Sequence, residues 1–124
     1  MKNPLQDQVV LITGASRGIG RATALLFAKA GADVALTCQS RVSDADAVAG
    51  EIRALGRRAW VGAGDLGDPA VVDRIFDGAV AALGGLDAFV GNAGIWPPED
   101  VPLSAMTDAR WCGTMRANLD AIFY

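Results

Sequence analysis

The sequence predicts an α/β fold in which a parallel, doubly wound sheet carries helices on both faces. Short apolar runs rich in Val, Leu and Ala alternate with longer amphipathic segments, as in strand–helix–strand crossover units. The runs are hydrophobic almost throughout, which is typical of parallel strands that are covered on both faces. These patterns together predict one sheet whose strands all point the same way.

Four runs are predicted strands. They are "VVLI" at residues 9–12, "DVALT" at 33–37, "AWVG" at 59–62 and "LDAFVGN" at 86–92. Right-handed crossovers in a doubly wound sheet give the strand order 3-2-1-4. In such an open sheet a ligand lies at the C-terminal ends of the strands, near the switch between the first and fourth.

The first two predicted helices each stop at a glycine, Gly31 and Gly56. The first covers residues 18–30, and its predicted apolar face consists of Ile19, Ala22, Leu26 and Ala30. The second covers residues 43–55, where Ser43 and Asp46 resemble a capping box.

The third and fourth predicted helices have clear start signals. Asp68 followed by Pro69 is a cap with a first-turn proline, and that helix runs to about residue 83, before two glycines. The fourth begins near Thr107 or Asp108 and continues to residue 124. No linker interrupts these elements, so residues 1–124 are predicted to form one domain.

Composition and charge narrow the class of protein. Hydrophobic residues make up 52% of the chain against 20% charged ones, as in a globular protein. The net charge of -3, without any basic run, argues against a nucleic-acid partner.

The chain has no histidine and only two distant cysteines, so no metal is expected. The N-terminal apolar run is too short for a signal peptide or a membrane span, and we expect a cytoplasmic protein.

A glycine-rich stretch, "VVLITGASRGIGRA", joins the first predicted strand to the first helix. Such a turn presents unpaired backbone N–H groups and the positive end of the helix dipole, which favour an anion such as a pyrophosphate. Without side chains at Gly14, Gly18 and Gly20, phosphates can approach the main chain and the helix can pack close to the strand. A P-loop requires a Gly-Lys-Ser/Thr ending that is missing here. A plain tight turn is the remaining alternative, but the strand–helix context favours a dinucleotide site.

The spacing Gly-x-x-x-Gly-x-Gly after Thr13 resembles the short-chain dehydrogenase/reductase family in its "TGASRGIG" form. The resemblance covers essentially the whole chain, because "GDL" follows the third predicted strand, "GNAG" the fourth, and "RANL" lies in the fourth helix. It implies a Rossmann-type domain of an oxidoreductase that interconverts a carbonyl and an alcohol by hydride transfer with a nicotinamide cofactor.

The same resemblance implies roles for individual residues. The implied cofactor-binding residues of the glycine loop are Thr13, Gly14, Ser16, Arg17, Gly18, Ile19 and Gly20. Those of the later motifs are Asp65 and Leu66 against the adenine, and Asn92, Ala93 and Gly94 after the fourth strand. Asn118 is the implied catalytic asparagine.

Several of these residues also have purely structural interpretations. Asp65 fits an ordinary loop aspartate, although its place after a strand favours the adenine role. Asn92 is largely structural in the family, where it bridges neighbouring backbone. Asn118 can be a plain exposed asparagine in mid-helix. Gly91 departs from the family's Asn-Asn-Ala-Gly pattern, which removes one hydrogen-bonding side chain.

The end of the second predicted strand indicates NADP(H) rather than NAD(H). A site selective for NAD needs an acidic side chain there for the ribose 2′-OH, and the matching position holds Cys38. Arg17 in the glycine loop and Arg41 after the strand have the guanidinium geometry that suits a 2′-phosphate. Either arginine is otherwise a solvated surface residue.

The family's proton-transfer residues are not found in this sequence. The resemblance implies a serine and a Tyr-x-x-x-Lys motif, whereas the one tyrosine here is Tyr124, with no lysine after it. We therefore expect a truncated, cofactor-binding half of a reductase that is inactive by itself. The full-length protein is expected to act on a small carbonyl or alcohol substrate as a homodimer or homotetramer. A stand-alone dinucleotide-binding or interaction module is the alternative.

Truncation after the fourth strand and helix is expected to leave apolar surface uncovered. The side chains concerned are Leu86, Phe89 and Val90 on the strand, and Met115, Leu119 and Ile122 on the helix. An apolar edge strand without charge or proline is a template for pairing with another chain. We expect marginal stability and self-association.

Overall fold

Four parallel strands form the sheet in the order β3-β2-β1-β4, which confirms the predicted order. The structure is a computed structural model that describes residues 3–124. The strands are β1 (Val9–Ile12), β2 (Asp33–Cys38), β3 (Ala59–Ala63) and β4 (Ala88–Val90). Because β1 lies between β2 and β4, the switch in winding direction falls between β1 and β4.

Helices separate the strands and cover the sheet. They are α1 (Gly18–Lys29), α2 (Val42–Ala54), α3 (Pro69–Leu83), α4 (Asp108–Met115) and α5 (Ala121–Phe123). A 3-10 turn, Leu103–Ala105, precedes α4, and a π-helical segment, Arg116–Asp120, separates α4 from α5. Within residues 3–124, every helix is too short or too polar to cross a bilayer.

Alternate residues of β1 contribute to two separate cores. Val10 and Ile12 pack on one side with Val34 of β2, among side chains of α1 and α2. Leu11 packs on the other side with Ile75 of α3. Since side chains alternate between the two faces of a strand, helices on both faces bury the whole of β1, as predicted for a doubly wound sheet.

The buried face of α1 differs from the predicted one. Ile19 and Leu26, expected to face the core, are 78% and 64% exposed. The buried residues are Gly20, Ala24 and Ala28, which recur every four positions. These small residues let the helix axis approach the strands closely, so Ile19 and Leu26 lie on the outside, while Leu25 and Phe27 pack partly against the core.

Helix α2 begins one residue earlier than predicted, and the expected capping box does not form. Arg41 occupies the N-cap position without a side-chain hydrogen bond to the helix end. Ser43 already has helical backbone in the first turn, whereas a capping box requires its serine to precede the helix. Asp44 supplies the first-turn negative charge and pairs with Arg41 at 3.3 Å.

Helix α3 matches the prediction at both ends. Asp68 Oδ1 accepts a hydrogen bond from Ala70 N at 3.0 Å, and Pro69 occupies the first turn. Gly84 ends the helix with a left-handed φ of 85°.

Strand β4 is shorter than predicted and forms one edge of the sheet. Its pairing with β1 covers residues 88–90 only. Asp87, just before the strand, binds Val9 twice: its backbone N donates to Val9 O, and its side chain accepts from Val9 N, both at 2.8 Å. Phe89 is 43% exposed, while Leu86 and Val90 are half-buried, as expected for an edge.

The last helix is not a continuous α-helix, contrary to the prediction. Thr107 caps α4, with its Oγ1 accepting from Arg110 N at 3.2 Å. After Met115 the hydrogen-bonding pattern widens into the π-helical segment, which carries Asn118. Such segments are rare and are found most often at functional sites.

Candidate cofactor-binding site

A cleft of about 550 Å³ opens at the C-terminal ends of the strands. Loops that follow all four strands line it, at the switch where open parallel sheets bind ligands. The predicted site residues that line this cleft are Gly14, Ser16, Arg17, Gly18, Ile19, Arg41, Asp65, Leu66, Asn92, Ala93 and Gly94. Three other predicted residues, Thr13, Gly20 and Asn118, do not line the cleft but contact the loops that do.

Two glycines of the first loop fit positions that no other residue fits well. Gly14 has a φ of 65°, and a Cβ there would stand 2.9 Å from Ala93 Cα. At Gly20 a Cβ would run into the carbonyl oxygen of Gly14 and stand 2.6 Å from Asn92 Nδ2. The loop after β1, the loop after β4 and the start of α1 are therefore in direct backbone contact, as the glycine pattern predicts.

Hydrogen bonds join the loop after β1 to the loop after β4. Thr13 Oγ1 accepts from Asn92 N and from Ala93 N, both at 3.0 Å. In return, Asn92 Nδ2 donates to Thr13 O at 3.1 Å and to Gly14 O at 3.2 Å. Because Thr13 is buried and the partners are half-buried, these bonds fix the floor of the cleft. The backbone-bridging geometry of Asn92 agrees with its structural interpretation.

The first turn of α1 faces the cleft with its backbone N–H groups available. Arg17 is the N-cap residue in an extended conformation, with no side-chain cap bond, and the first turn holds no acidic residue. Among residues 3–124, a Cβ at Gly18, which lines the cleft, would meet nothing within 4 Å. This end of the cleft therefore combines open space with the positive end of a helix dipole.

A thiol at the end of β2 and two arginines from the loops after β1 and β2 line the cleft. Cys38 is 4% exposed, and burial, with the nearby charge of Asp46, raises the pKa of its thiol. Arg17 and Arg41 both line the cleft here. Arg41 forms an ion pair with Asp44, in which both side chains are about half exposed, so this pair is weak.

Asp65 is more constrained than an ordinary loop aspartate. Its Oδ1 accepts from Gly67 N at 2.9 Å, and its Oδ2 lies 2.8 Å from Arg116 Nη1. The hydrogen bond from Gly67 and the charge of Arg116 outweigh burial and hold the pKa of Asp65 below its usual value. Asp65 is therefore ionised at neutral pH.

Asn118 contacts the loop after β4 with both polar atoms of its amide. Its Oδ1 accepts from Ile95 N at 2.6 Å, and its Nδ2 donates to Ile95 O at 2.8 Å. A Cβ at Gly94 would stand 2.9 Å from Asn118 Oδ1, which explains the glycine. Asn118 is thus not a free surface asparagine, and its side chain is occupied with backbone.

The residues of the cleft that the sequence did not single out lie at or after strand ends or approach from the last helix. They are Thr37, Gln39, Ser40, Gly64, Gly67, Ile95 and Ala117. Thr37 supports the glycine loop, because its Oγ1 accepts from Gly14 N at 3.3 Å. Position after a strand end is the signal that identifies most of these residues; Ala117 carries no such signal.

Gly91 has a packing reason that its departure from the family pattern did not suggest. A Cβ there would stand 3.1 Å from a ring carbon of Phe89 and run close to the end of the Ile122 side chain. A larger residue would require the end of the Ile122 side chain and the Phe89 ring to shift. The glycine therefore allows the close approach of α5 to the sheet edge.

A second cavity, of about 260 Å³, lies between the proline-rich loop and α4, outside the predicted site. Trp96 and Trp111 are among its lining residues, and both side chains are exposed. Arg110 of α4 donates to the carbonyl oxygen of Glu99 and so ties the loop to the helix.

Comparison with known proteins identifies relatives along almost the whole chain. The family model for short chain dehydrogenases matches residues 8–124. An uncharacterized oxidoreductase of Mycobacterium tuberculosis is 50% identical over 104 residues, which cover 84% of this chain and 39% of that protein. An L-rhamnose 1-dehydrogenase (NAD(P)(+)) of a Sphingomonas species is 44% identical over 123 residues, which cover 97% of this chain and 46% of that protein.

A solved structure gives the same result for the fold. The crystal structure of a short chain dehydrogenase from Burkholderia cenocepacia in complex with NADP has a TM-score of 0.91 and 41% sequence identity, over 98% of this chain and 49% of that one. The chain spans a little under half the length of these relatives. With the predicted strand order, the glycine-rich cleft and a family match over nearly all of its residues, the chain belongs to the short chain dehydrogenase family.

Proposed function

We propose that residues 1–124 form the dinucleotide-binding domain of an NADP(H)-dependent oxidoreductase that interconverts a carbonyl and an alcohol by hydride transfer. The observation that carries the proposal is the end of β2, where a buried thiol, Cys38, stands in the place of a carboxylate. Arg41, three residues further along the chain, and Arg17, at the start of α1, line the same cleft. This arrangement lacks the acceptor that selects the 2′-OH of NAD and offers two donors for a 2′-phosphate.

The loop after β1 fits the pyrophosphate. Gly18 leaves open space in front of the first turn of α1, where backbone N–H groups are available. The helix dipole favours an anion at that point, and a ligand phosphate can approach the main chain without meeting a side chain. Ser16 lines the same part of the cleft and offers a hydroxyl donor.

Two other parts of the cleft suit the two ends of the dinucleotide. Asp65 and Leu66 offer an ionised carboxylate and an apolar side chain, which suit the amino group and the face of adenine. Ile19, 78% exposed at the cleft, offers apolar surface to the nicotinamide ring, beside the rigid backbone at Asn92 and Ala93. Bound NADPH supplies the hydride, and the residues named here hold and orient it.

Asn118 is proposed to act as a catalytic-site residue of the longer protein. Its side chain fixes Ile95, which lines the cleft, through two hydrogen bonds to one residue's backbone. A rigid loop at this position keeps the reacting end of the cleft in one geometry.

The relatives support the choice of cofactor and reaction. The Burkholderia cenocepacia structure is in complex with NADP, and the name of the Sphingomonas relative includes NAD(P)(+). Both are dehydrogenases by name. We propose a small carbonyl or alcohol substrate and a homodimer or homotetramer for the longer protein.

The chain by itself is proposed to bind cofactor without turning it over. Its one tyrosine is Tyr124, and the sequence contains no Tyr-x-x-x-Lys. A positioned acid or base contributes about 10²- to 10⁴-fold to such reactions. Oxidation of NADPH by the purified chain with a panel of small ketones and aldehydes should therefore not exceed the rate without protein.

Titration of the purified chain with NADPH and NADH tests the proposal. We expect NADPH to bind at least about tenfold more tightly, since one charge-assisted contact contributes roughly 1.5–3 kcal/mol. The probe 2′,5′-ADP should compete with NADPH, and 5′-AMP should compete less well. Equal affinity for the two dinucleotides would refute the NADP preference, and no binding of either by folded chain would refute the dinucleotide site.

A further inference from the structure

Arg116 connects two parts of the site that lie far apart in the sequence. It is the first residue of the π-helical segment, and its Nη1 lies 2.8 Å from Asp65 Oδ2 in the loop after β3. The other carboxylate oxygen accepts from Gly67 N at 2.9 Å. Asp65 lines the cleft, whereas Arg116 is not among the lining residues. Arg116 therefore contacts the cleft only through another residue.

The side chain of Arg116 is held along its length as well as at its tip. A Cβ at Gly67 would stand 2.8 Å from Arg116 Cγ and 2.9 Å from its Nε and Cζ. The absence of a side chain at Gly67 thus lets the stem and the guanidinium pack on the loop backbone. An ion pair between half-exposed partners is weak alone, but this packing adds contacts that favour the position in which the guanidinium reaches Asp65.

The same π-helical segment contacts the opposite side of the cleft. Asn118 lies two residues after Arg116 and binds the backbone of Ile95. Residues two apart on a helix do not share a face, so the segment reaches the loop after β3 with one side chain and the loop after β4 with the other. Arg116 is therefore anchored at its backbone as well.

We propose that Arg116 is a positioning residue for adenine recognition, which orients the Asp65 carboxylate to accept a hydrogen bond from the exocyclic amino group of the base. A carboxylate offers about four lone-pair sites, and Gly67 N and Arg116 use one on each oxygen. The remaining sites are available to a donor, and the amino group of adenine is one. The inference rests on the proposed function, because it requires a dinucleotide in this cleft.

A pair of ligands that differ only in the base tests this role. Reduced nicotinamide hypoxanthine dinucleotide phosphate carries a carbonyl oxygen where NADPH carries the amino group. The unaltered chain should prefer NADPH by about tenfold, the size of one hydrogen bond to a charged group. In Arg116→Ala the preference for NADPH over the hypoxanthine analogue should fall to about threefold or less. Arg116→Lys should restore part of this preference, because lysine keeps the positive charge but lacks the planar guanidinium with its paired donors.

Two controls separate positioning from a general effect on folding. Arg110→Ala removes a cation of the preceding helix α4, one that bonds Glu99 rather than Asp65, and should leave the preference unchanged. In an Asp65→Ala background, Arg116→Ala should have no further effect on the ratio of the two affinities, because the residue through which it acts is gone.

The outcomes are distinct. If NADPH binds the unaltered chain and Arg116→Ala weakens both ligands equally, the arginine is only structural and the inference is overturned while the proposed function stands. If Arg116→Ala lowers the ratio of the affinities for NADPH and the hypoxanthine analogue equally with and without Asp65, Arg116 acts on the base by another route. The inference then also fails. If the folded, unaltered chain binds neither dinucleotide, the proposed function fails and the inference fails with it.

Discussion

Asn118 binds Ile95 as a backbone partner would, with its Oδ1 accepting from Ile95 N at 2.6 Å and its Nδ2 donating to Ile95 O at 2.8 Å. The pair joins the π-helical segment to the loop after β4 and so fixes one wall of the cleft. An amide side chain can donate to a backbone carbonyl and accept from the N–H of the same residue, because it carries a donor and an acceptor side by side.

Replacement of Asn118 by aspartate should release this loop. A carboxylate still accepts from Ile95 N but repels Ile95 O, so the free energy of unfolding should fall by about 1–3 kcal/mol. Amide hydrogen exchange at Ile95 should become faster by a larger factor than exchange in β1, because repulsion from Ile95 O opens the loop more often even though the Ile95 N–H keeps its acceptor. Thr114→Ala, which removes a hydroxyl bound within α4, is the control and should leave exchange at Ile95 unchanged. Unaltered exchange in Asn118→Asp would show that other contacts fix the loop.

The two arginines at the cleft should contribute to cofactor choice. Arg17→Ala and Arg41→Ala should each weaken NADPH about tenfold and change NADH by less than about twofold, because only NADPH carries the 2′-phosphate. Lys29→Ala removes the same charge from the exposed end of α1, away from the cleft, and should change neither affinity by more than about twofold. Equal weakening of both dinucleotides would place the arginines at the pyrophosphate instead.

Substitution by alanine at Gly20 and at Gly50 should change the free energy of unfolding in opposite directions. At Gly20 the new methyl group would collide with Gly14 O and Asn92 Nδ2, so Gly20→Ala should lower the free energy of unfolding by at least about 2 kcal/mol. Gly50 lies within α2, and no atom of residues 3–124 would lie within 4 Å of a Cβ there. Gly50→Ala should therefore raise the free energy of unfolding by about 0.5–1 kcal/mol. Urea denaturation measures both. A neutral Gly20→Ala would mean that α1 does not pack against the loop as closely as found here.

Stability should depend on the ionisation of Asp33 at the other end of the sheet. Burial alone would raise its pKa, but hydrogen bonds from Arg58 and the charge of Arg57 lower the pKa below the ordinary value of 3.8. Because the folded-state pKa is the lower one, the stabilisation is present above about pH 4 and is lost as the pH falls through the folded value. The side chain of Asp33 is 6% exposed, so its loss should be costly.

Asp33→Asn measures that contribution. At neutral pH it should lower the free energy of unfolding by about 2–4 kcal/mol, because two arginines lose their buried partner. The difference from the unaltered chain should shrink as the pH falls below about 4 and towards the lowered pKa of Asp33 in the folded state, where the native carboxylate becomes protonated. Asp73→Asn, at an exposed position of α3, should have little effect at any pH. A difference that stays constant with pH would exclude the ion pairs as its cause.

Apolar side chains near the end of the chain should drive self-association. Leu119, Ile122 and Phe123 are 56%, 46% and 85% exposed. Sedimentation at tens of micromolar should show species larger than the monomer, and Leu119→Lys should reduce them. Leu103→Lys, at an even more exposed leucine before α4, should not. A monomer at all concentrations would show that this surface is tolerated without a partner.

The strands and the glycine loop were predictable because their signals are local. Continuous apolar runs located β1, β2 and β3, and the spacing of Gly14 and Gly20 located the loop. The buried face of α1 was not predictable from hydrophobicity, since glycine and alanine carry a weak apolar signal and Ile19 carries a strong one. There, close backbone approach decided the packing, and side-chain size did not.

The π-helical segment and the partner of Asp65 could not be predicted for a different reason. Both depend on contacts between residues that are distant in sequence, namely Arg116 with Asp65 and Asn118 with Ile95. Neither helix propensity nor periodicity contains that information. The family resemblance pointed to Asn118 but not to Arg116.

Backbone amide chemical shifts of the isotope-labelled chain, recorded during titration with NADPH, locate the ligand residue by residue. We predict saturable changes at Gly14, Gly18, Ser40, Arg41 and Asp65, all of which line the cleft at the strand ends. Titration with NADH should reproduce the changes at Gly14 and Gly18, with smaller changes at Ser40 and Arg41 and saturation at higher concentration. Absence of changes in a folded chain, or changes confined to the second cavity around Trp96 and Trp111, would contradict a dinucleotide site in this cleft.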